Sequence, residues 1–383
     1  MQAKSLNKIR KIIVKTIKKN SSPLHEPYFD SKELAEVKKT IKSSFVSTIG
    51  KSIEIFEKKI SRFVKSKFTL CVNSGTSALH ISLKILGVDK NSLVLMPSLT
   101  FVAAANAVRY NQAEPYFLDS NKSNYGICSK DLEDTLKKNV IFKKGRPYCK
   151  ITKKKVSAIL VVHAFGYAAD ILEIIKIARK YKIPVIEDAA DCFGTKVFGK
   201  YLGTFGEVGI LSFNGNKTIT SGSGGAILTN NKKLFNKASK LITVAKRKHK
   251  WKVAHDEVGY NYKMNALNAS LGVAQIRKIN LILKRKKTLH NNYKKNFQNI
   301  EDVELVTSKK NIESNYWINM IKVKNIFIRD KILNYLSNHK IYCRPVWELM
   351  HTLPMYKNFK RSKILKAKDL YNTTICLPSS PII

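Results

Sequence analysis

The sequence predicts an α/β protein in which a mostly parallel sheet is covered by helices and followed by a smaller α+β domain. Between residues 68 and 229, short apolar runs alternate with longer stretches whose apolar residues recur at helical spacing. After residue 230, a long helical stretch and shorter strands replace this alternation. The chain has 383 residues, of which 44% are hydrophobic, so it can form one large and one smaller packed region.

The N-terminal residues predict a basic amphipathic helix. Apolar residues recur there at helical spacing among lysines and arginines, namely Leu6, Ile9, Ile12, Ile13 and Ile17. A helix of this kind can lie on a membrane surface, but we expect it to dock on its own domain. The predicted organisation is a basic N-terminal helix over residues 1–22, a large domain over residues 23–250 and a smaller C-terminal domain over residues 251–383.

Each element of the large domain follows from its local pattern. Apolar runs predict buried strands over residues 68–72, 93–96, 115–118, 157–163 and 184–187. Helical spacing after the first strand predicts a helix that ends near Leu86, and the basic, turn-rich residues 140–155 predict a surface excursion. Ligands of open α/β sheets bind at the carboxyl ends of strands, so functional residues are expected at those ends.

The smaller domain is predicted from a different succession of patterns. In chain order it has a helix over residues 265–287, strands over 303–305 and 316–323, a helix over 329–337 and a strand over 341–344. This mixture is typical of a small α+β domain. No internal repeat or low-complexity linker interrupts the chain.

The chain is strongly basic, with 70 Lys plus Arg, 27 Asp plus Glu and a formal net charge of +43. Such an excess is typical of proteins that bind nucleic acid, membranes or phosphorylated ligands. The lysines are spread along the whole chain, however, without a zinc-finger, basic-zipper or RNA-binding motif. We interpret the charge as a compositional bias and expect neither specific nucleic-acid binding nor membrane association.

The six cysteines form no Cys-x-x-Cys pair, and none lies beside a histidine at metal-ligand spacing. We therefore expect no metal site. There is no run of ~18 apolar residues and no signal peptide. This pattern fits a protein of the reducing cytoplasm.

Three segments at predicted strand ends carry candidate functional groups, and the first is residues 73–77. It joins a strand to a helix, where Gly75 allows close backbone approach and Thr76 and Ser77 offer hydroxyl groups. The free N–H groups at a helix N-terminus favour a phosphate. The alternative is an ordinary N-cap.

The second segment is residues 184–191, an apolar strand that runs into the three carboxylates of Glu187, Asp188 and Asp191. A buried carboxylate needs a cationic partner, because an unpaired buried charge is costly. A metal ion and a protonated heterocyclic nitrogen are two such partners, and the capping of a helix is the alternative role.

The third segment is residues 210–229, in which Lys217 lies between an apolar strand and a Gly/Ser-rich turn. A desolvated lysine in a loop of small residues can lose its charge and act as a nucleophilic amine. A Schiff-base lysine is the hypothesis that this pattern favours.

Together these segments resemble the DegT/StrS-type sugar aminotransferases, which are pyridoxal-phosphate enzymes with the aspartate-aminotransferase-like fold (fold type I). The resemblance covers nearly the whole chain in order. Besides the three segments, it rests on residues 23–27, 45–50, 97–103, 258–264 and 344–347. Residues 212–217, 255–262 and 377–380 further resemble the branch that aminates UDP-4-keto-6-deoxy-N-acetylglucosamine in bacillosamine and legionaminic acid pathways.

The resemblance implies a role for each matching residue. Lys217 would hold pyridoxal phosphate covalently and later act as general base, and Asp188 would pair with the protonated pyridine nitrogen. Other matching positions would bind the cofactor phosphate (Gly75, Thr76, Ser212) or stack on its ring (Phe101). Asn261 matches an Asn that reaches the phosphate from the neighbouring subunit, which implies a homodimer with shared active sites.

Two positions depart from the family pattern. Asp191 stands where many relatives have Gln beside the phenolic oxygen of the cofactor, so its carboxylate would need a proton, a water or a cationic neighbour. Lys263 stands where relatives often have Arg, which removes forked hydrogen bonding to a substrate phosphate.

Five further residues are candidates for substrate or cofactor contact: His163, His255, Glu257, Arg344 and Trp347. Each has a structural alternative, such as a core histidine that is satisfied by backbone groups or an aromatic residue of the core or interface.

The resemblance implies a transaminase that moves an amino group from L-glutamate to C4 of a UDP-4-keto-6-deoxy-N-acetylhexosamine, giving a UDP-4-amino-4,6-dideoxy sugar and 2-oxoglutarate. Its partners would be the nucleotide sugar and L-glutamate. The alternatives are a dTDP- or GDP-linked keto sugar as substrate, a pyridoxal-dependent sugar dehydratase, and a basic protein that binds nucleic acid or membranes. Lys217 argues against the dehydratase, in which relatives replace this lysine by His.

Overall fold

The computed structural model describes residues 3–247 and 249–381. Five residues of the three predicted regions lie outside the described residues, namely 1, 2, 248, 382 and 383. The α-helices are α1 (Ala3–Ile17), α2 (Ser31–Lys42), α3 (Lys51–Val64), α4 (Gly75–Ile85), α5 (Val102–Tyr110), α6 (Ser129–Asn139), α7 (Ile171–Lys180), α8 (Lys232–Ile242), α9 (Ala266–Arg277), α10 (Ile279–Phe297), α11 (Ile326–Asn338) and α12 (Lys366–Thr373). Short 3₁₀-helices span Ala164–Gly166 and Met350–Thr352.

The β-strands follow the same chain order. They are β1 (Phe68–Val72), β2 (Ser92–Pro97), β3 (Glu114–Leu118), β4 (Val140–Lys143), β5 (Arg146–Cys149), β6 (Lys155–Val162), β7 (Val185–Asp188), β8 (Lys196–Val197), β9 (Lys200–Tyr201), β10 (Val208–Ser212), β11 (Gly225–Thr229), β12 (Glu304–Leu305), β13 (Ile312–Glu313), β14 (Asn319–Lys322), β15 (Arg344–Pro345) and β16 (Thr374–Leu377).

The main sheet has the strand order β1-β11-β10-β7-β6-β2-β3. Along this path only β11 runs against the other strands, because it pairs antiparallel with both β1 and β10 while the remaining pairs are parallel. The central strands are buried along their whole length, as is typical of a parallel sheet with helices on both faces. The predicted fold class is confirmed.

The two faces of the main sheet support separate hydrophobic clusters. Leu93 and Leu95 of β2 belong to the cluster beneath α3, α6, α7 and α9, whereas Val94 and Met96 belong to the cluster beneath α4, α5 and α8. This assignment follows from the strand geometry, which points successive side chains to opposite faces. The result is a three-layer arrangement of helices, sheet and helices.

A second, antiparallel sheet with the order β12-β14-β16-β15 lies in the C-terminal part of the chain. The apolar side of α1 packs on this part. Its residues Leu6, Ile9, Ile13 and Ile17 are buried in one cluster with Tyr293 of α10 and with residues of β14 and β16. The lysines of α1 remain on its exposed side. The first and last parts of the chain therefore share one hydrophobic core.

The predicted single helix over residues 265–287 is in fact two helices, α9 and α10, which meet at Lys278. The ammonium group of Lys278 is buried and lies 2.6 Å from Glu33 and 3.3 Å from Asp30. In addition, α9 buries its apolar residues under the main sheet, while α10 buries Tyr293 against α1. One straight helix cannot face both cores.

Residues 140–155, predicted as a surface excursion, contain the β-hairpin of β4 and β5. The hairpin turns at Lys144 and Gly145, which both have positive φ, as a two-residue turn between antiparallel strands requires.

The predicted strand over residues 341–344 also differs from the structure. Only Arg344 and Pro345 pair with β16, and Ile341 makes an isolated bridge to Ser22.

No helix within residues 3–247 and 249–381 is both long and apolar enough to cross a membrane.

Candidate active site

A cavity of ≈ 300 Å³ lies where the carboxyl ends of β6, β7 and β10 meet the N-terminus of α4. This is the edge at which the sequence predicted functional residues. The predicted site residues that line this cavity are Gly75, Thr76, Phe101, His163, Asp188, Asp191, Ser212, Lys217 and Trp347. The fold therefore brings together residues that are up to 272 positions apart in the chain, the separation of Gly75 and Trp347.

The amine of Lys217 is held by a carboxylate at the cavity wall. Its Nζ donates a 2.6 Å hydrogen bond to Oδ1 of Asp191, and the side chains of Lys217 and Asp191 are 15% and 5% exposed. The other oxygen of Asp191 accepts a 3.0 Å hydrogen bond from the backbone N–H of Phe165. Both oxygens of this carboxylate thus have donors, which fixes the direction in which it presents Oδ1 to the lysine.

Asp188, in contrast, has no ion-pair partner in the described part of the chain. It ends β7, and its Oδ1 accepts a 3.1 Å hydrogen bond from the N–H of Ala190. Burial, reinforced by the nearby charge of Asp191, raises its pKa from 3.8 to about 6. A buried carboxylate that lines a cavity and lacks a cation is suited to a ligand that carries an N–H⁺ group.

The N-terminus of α4 provides donors on the same cavity. Ser74 caps the helix by accepting a 3.0 Å hydrogen bond from the N–H of Ser77, so the expected N-cap is present. The N–H groups of Gly75 and Thr76, in the first turn, have no acceptor within a helix. A Cβ atom on Gly75 would lie 3.2 Å from Cβ of Ser212, so glycine allows helix and strand end to meet closely.

These donors and acceptors fit a pyridoxal phosphate. The helix N-terminus with the hydroxyls of Thr76 and Ser212 suits the phosphate, Asp188 suits the protonated ring nitrogen, and Lys217 suits covalent attachment. Gly75 carries no side chain that would cover the backbone N–H groups at the start of α4. No group of three or more His, Cys, Asp or Glu that would suit a metal ion occurs among the described residues.

His163 lines the cavity, but its ring nitrogens bind other protein groups. Its Nδ1 accepts a 3.2 Å hydrogen bond from the N–H of Ala169, so the proton lies on Nε2, which donates to Glu187 at 3.1 Å. Glu187 also accepts hydrogen bonds from three backbone N–H groups of residues 203–206. Both ring nitrogens of His163 are therefore occupied.

Four predicted residues lie outside this cavity. Asn261, His255 and Glu257 are exposed on the segment between α8 and α9, where Glu257 pairs with Lys240 at 2.9 Å and His255 contacts the carbonyl oxygen of Val244. Arg344 is exposed on β15. Phe101 and Trp347 lie at the rim, with their ring centroids 6.0 Å apart.

Two residues of the C-terminal region belong to the site and were not predicted. Trp317 lines the cavity, with its ring centroid 4.3 Å from Nζ of Lys217. Asn315 lies behind it and donates a 2.9 Å hydrogen bond to the carbonyl oxygen of Asp191. Their apolar and aromatic neighbours made this segment look like an ordinary strand, and no local signal in the sequence marks it as part of the site.

Comparison with known proteins identifies the family of this chain. Residues 27–383 match the model of the DegT/DnrJ/EryC1/StrS aminotransferase family. The GDP-perosamine synthase of Escherichia coli O157:H7 is 35% identical over 361 residues, which cover 94% of this chain and 93% of that protein. The UDP-4-amino-4,6-dideoxy-N-acetyl-beta-L-altrosamine transaminase of Campylobacter jejuni (strain 81-176) is 31% identical over 297 residues, which cover 77% of this chain and 71% of that protein.

A solved structure supports the fold. The aminotransferase TlmJ from Streptoalloteichus hindustanus superimposes with a TM-score of 0.85 over 94% of this chain and 93% of its own, at 22% identity. The predicted family, fold type and cofactor are therefore confirmed. The chain belongs to the DegT/DnrJ/EryC1/StrS aminotransferase family and is a pyridoxal-phosphate-dependent nucleotide-sugar aminotransferase.

Proposed function

We propose that this enzyme transfers the amino group of L-glutamate to C4 of a nucleotide-linked 4-keto-6-deoxyhexose, giving a 4-amino-4,6-dideoxy sugar and 2-oxoglutarate. One observation carries the proposal. A lysine amine, a buried carboxylate without a cation and a helix N-terminus with free N–H groups line a single cavity of ≈ 300 Å³. This is the set of groups that amino transfer with pyridoxal phosphate needs.

Each of these groups has a separate task. Pyridoxal phosphate, when bound, supplies an electron-withdrawing ring that accepts electrons from the carbon next to the transferred nitrogen. Asp188 would keep the ring nitrogen protonated, and the N-terminus of α4 would bind the phosphate. Lys217 would attach the cofactor and, when its amine is free, move a proton to and from the substrate carbon. Asp191 would hold that free amine through the hydrogen bond described above.

Two nucleotide sugars are candidates for the acceptor. The motifs at residues 212–217, 255–262 and 377–380 favour UDP-4-keto-6-deoxy-N-acetylglucosamine, which we take as the first candidate. The GDP-perosamine synthases favour a GDP-linked keto sugar, because the relative from Escherichia coli is more identical to this chain and covers more of it than the UDP-sugar transaminase does.

We also propose that the enzyme is a homodimer in which Asn261 reaches the cofactor phosphate of the partner subunit. In its own subunit Asn261 is exposed and does not line the cavity, although its carbonyl oxygen accepts a hydrogen bond from Asn73, next to the N-terminus of α4. Its segment also carries bare apolar side chains, since Val258 is 81% exposed and Trp251 is 82% exposed. A second copy would cover these side chains.

The proposal is tested by incubating the enzyme with L-glutamate and UDP-, GDP- or dTDP-4-keto-6-deoxy sugars, with mass spectrometry of the products. We expect one keto sugar to gain an amino group much faster than the others. K217A should lower turnover by about 10³-fold or more. K217R is the matched control, because arginine keeps the charge beside Asp191 but is not a nucleophile, and it should be equally inactive. Turnover by K217A would refute the role of Lys217, and no amination of any sugar would refute the proposed function.

A further inference from the structure

Trp317 contacts the reacting amine of Lys217 from a part of the chain distant from the other site residues. Nζ of Lys217 lies 4.3 Å from the centroid of the Trp317 ring, while Asp191 binds the same amine at 2.6 Å. Trp317 is 5% exposed and lines the cavity. The amine therefore lies between an aromatic face and a carboxylate, and both attract a cation.

Trp317 is held by one hydrogen bond at its ring and one at its backbone. Its Nε1–H donates a 2.8 Å hydrogen bond to the carbonyl oxygen of Asn216, the residue before Lys217. Its own carbonyl oxygen accepts a 3.1 Å hydrogen bond from Nζ of Lys286, which is fully buried. The same tryptophan thus binds the backbone that carries Lys217 and covers the end of its side chain.

Asn315 connects these contacts to Asp191. It is 1% exposed, and its Nδ2 donates to the carbonyl oxygen of Asp191 at 2.9 Å and to the hydroxyl of Thr218 at 3.1 Å. Its Oδ1 accepts a 3.0 Å hydrogen bond from the N–H of Trp317. One buried amide therefore links Trp317, Asp191 and the residue that follows Lys217.

Backbone strain accompanies this arrangement. Tyr316, between Asn315 and Trp317, has a φ of 47°, which non-glycine residues rarely adopt. A Cβ atom on Gly166 would lie 2.5 Å from Oδ1 of Asn315 and 2.9 Å from the N of Trp317, so only glycine allows this approach. Strained residues that the surroundings hold in place are typical of functional sites.

We propose that Trp317 is a positioning residue that confines the free amine of Lys217 between its ring face and the carboxylate of Asp191, with Asn315 setting the distance between the two. The amine then occupies one place whenever it is not attached to the cofactor, and it does not swing into the space that the substrate needs. This inference rests on the proposed role of Lys217.

The test is acylation of Lys217 in the cofactor-free, full-length chain by acetic anhydride, measured by peptide mass spectrometry relative to the exposed Lys363. Two non-aromatic variants, W317M and W317L, are used so that loss of fold in one leaves the other. We expect Lys217 to be acylated about threefold to tenfold faster in both than in the wild type. W317F keeps an aromatic face without the N–H group and should stay within about twofold of the wild type.

Turnover provides a second measurement. In W317M we expect kcat to fall about tenfold while KM for the keto sugar changes less, because a misplaced amine slows proton transfer without removing a substrate contact. Wild-type acylation in both non-aromatic variants would overturn the inference, and so would fast acylation in a folded W317F. The labelling needs no substrate, so failure of the proposed function leaves its result valid.

Discussion

Asp188 and Asp191 are three positions apart in the sequence but have different partners in the cavity. Asp191 binds the amine of Lys217 and a backbone N–H group, whereas Asp188 has one backbone donor and no ion-pair partner in the described chain. In the described structure the cationic neighbour of Asp191 is Lys217 itself. The role of Asp191 beside the phenolic oxygen of a bound cofactor stays a prediction.

Replacement of Asp188 should separate stability from activity. Its pKa is raised from 3.8 to about 6, so the folded state binds more protons than the unfolded state and stability is lost as pH rises through this window. D188N removes the charge, and we expect it to stabilise the cofactor-free chain by about 2–3 kcal/mol at pH 8 and much less at pH 4. The measurement is denaturant unfolding at both pH values.

The same variant should lose most of its turnover, because an amide holds the ring nitrogen protonated less well than a carboxylate. Wild-type protein at each pH is the control. A D188N chain that is less stable than the wild type at pH 8 would contradict the expected desolvation of Asp188.

Individual site residues were predictable where the local sequence is unusual. Lys217 was identified because it is the single lysine of a Gly/Ser-rich turn between apolar strands, and it does line the cavity. Trp317 was not identified, since it falls within the predicted strand over residues 316–323, where an aromatic residue is typical of a core. The predicted roles of Phe101, His255, Glu257 and Arg344 stay predictions.

At the scale of elements, the site depends on how closely β11 packs against the start of α4. A Cβ atom on Gly225 would lie 2.7 Å from N of Gly75 and from the carbonyl group of Ser74. These are backbone atoms, which cannot move away by rotation as a flexible side chain can. Any larger residue at this position must therefore move the helix N-terminus.

We expect G225A to weaken the affinity for pyridoxal phosphate by about tenfold, because displaced N–H groups no longer face the phosphate. The matched control is G215A, where a Cβ atom would meet only the carbonyl oxygen of Gly222 at 3.8 Å and should change the affinity less than twofold. Affinity is measured by titrating cofactor-free protein. Equal affinities of the two variants would show that this packing does not set the phosphate site.

Elements were predictable from hydrophobic periodicity and less so where tertiary contacts decide. The strands of the main sheet were found because their apolar runs are buried on both faces. The break at Lys278 coincides with the contacts of its ammonium group to Glu33 and Asp30, which are distant in sequence, so the local pattern does not reveal it. The hairpin at residues 140–149 was missed although β4 begins with three apolar residues, because the basic residues and the glycine around its turn made the segment resemble a surface loop.

At the scale of the whole molecule, the net charge of +43 carries less functional information than it first suggests. Lysines on exposed sides of α1 and α10 account for part of it, and few basic groups line the cavity. Family membership was predictable because short motifs of the family occur in the same order along this chain. The homodimer that the resemblance implies stays a prediction, because Asn261 is exposed and lies outside the cavity of its own subunit.

A shared active site makes a quantitative prediction. K217A and N261A should each be inactive alone, but subunits mixed after unfolding and refolding should form heterodimers with one intact site. If Lys217 and Asn261 act across the interface, random mixing restores about a quarter of the wild-type activity. The control is each variant refolded alone. A mixture that stays as inactive as its components would indicate that both residues serve the same subunit.

The packing of α1 on the C-terminal region has a consequence for how the chain folds during synthesis. Its apolar residues are synthesised long before their partners in α10 and β16. The carbonyl oxygen of Leu24 likewise accepts a 2.8 Å hydrogen bond from the N–H of Ser379, which is synthesised much later. Contacts of such high sequence separation form late and slowly. Helix α1 is thus expected to be among the last elements to pack.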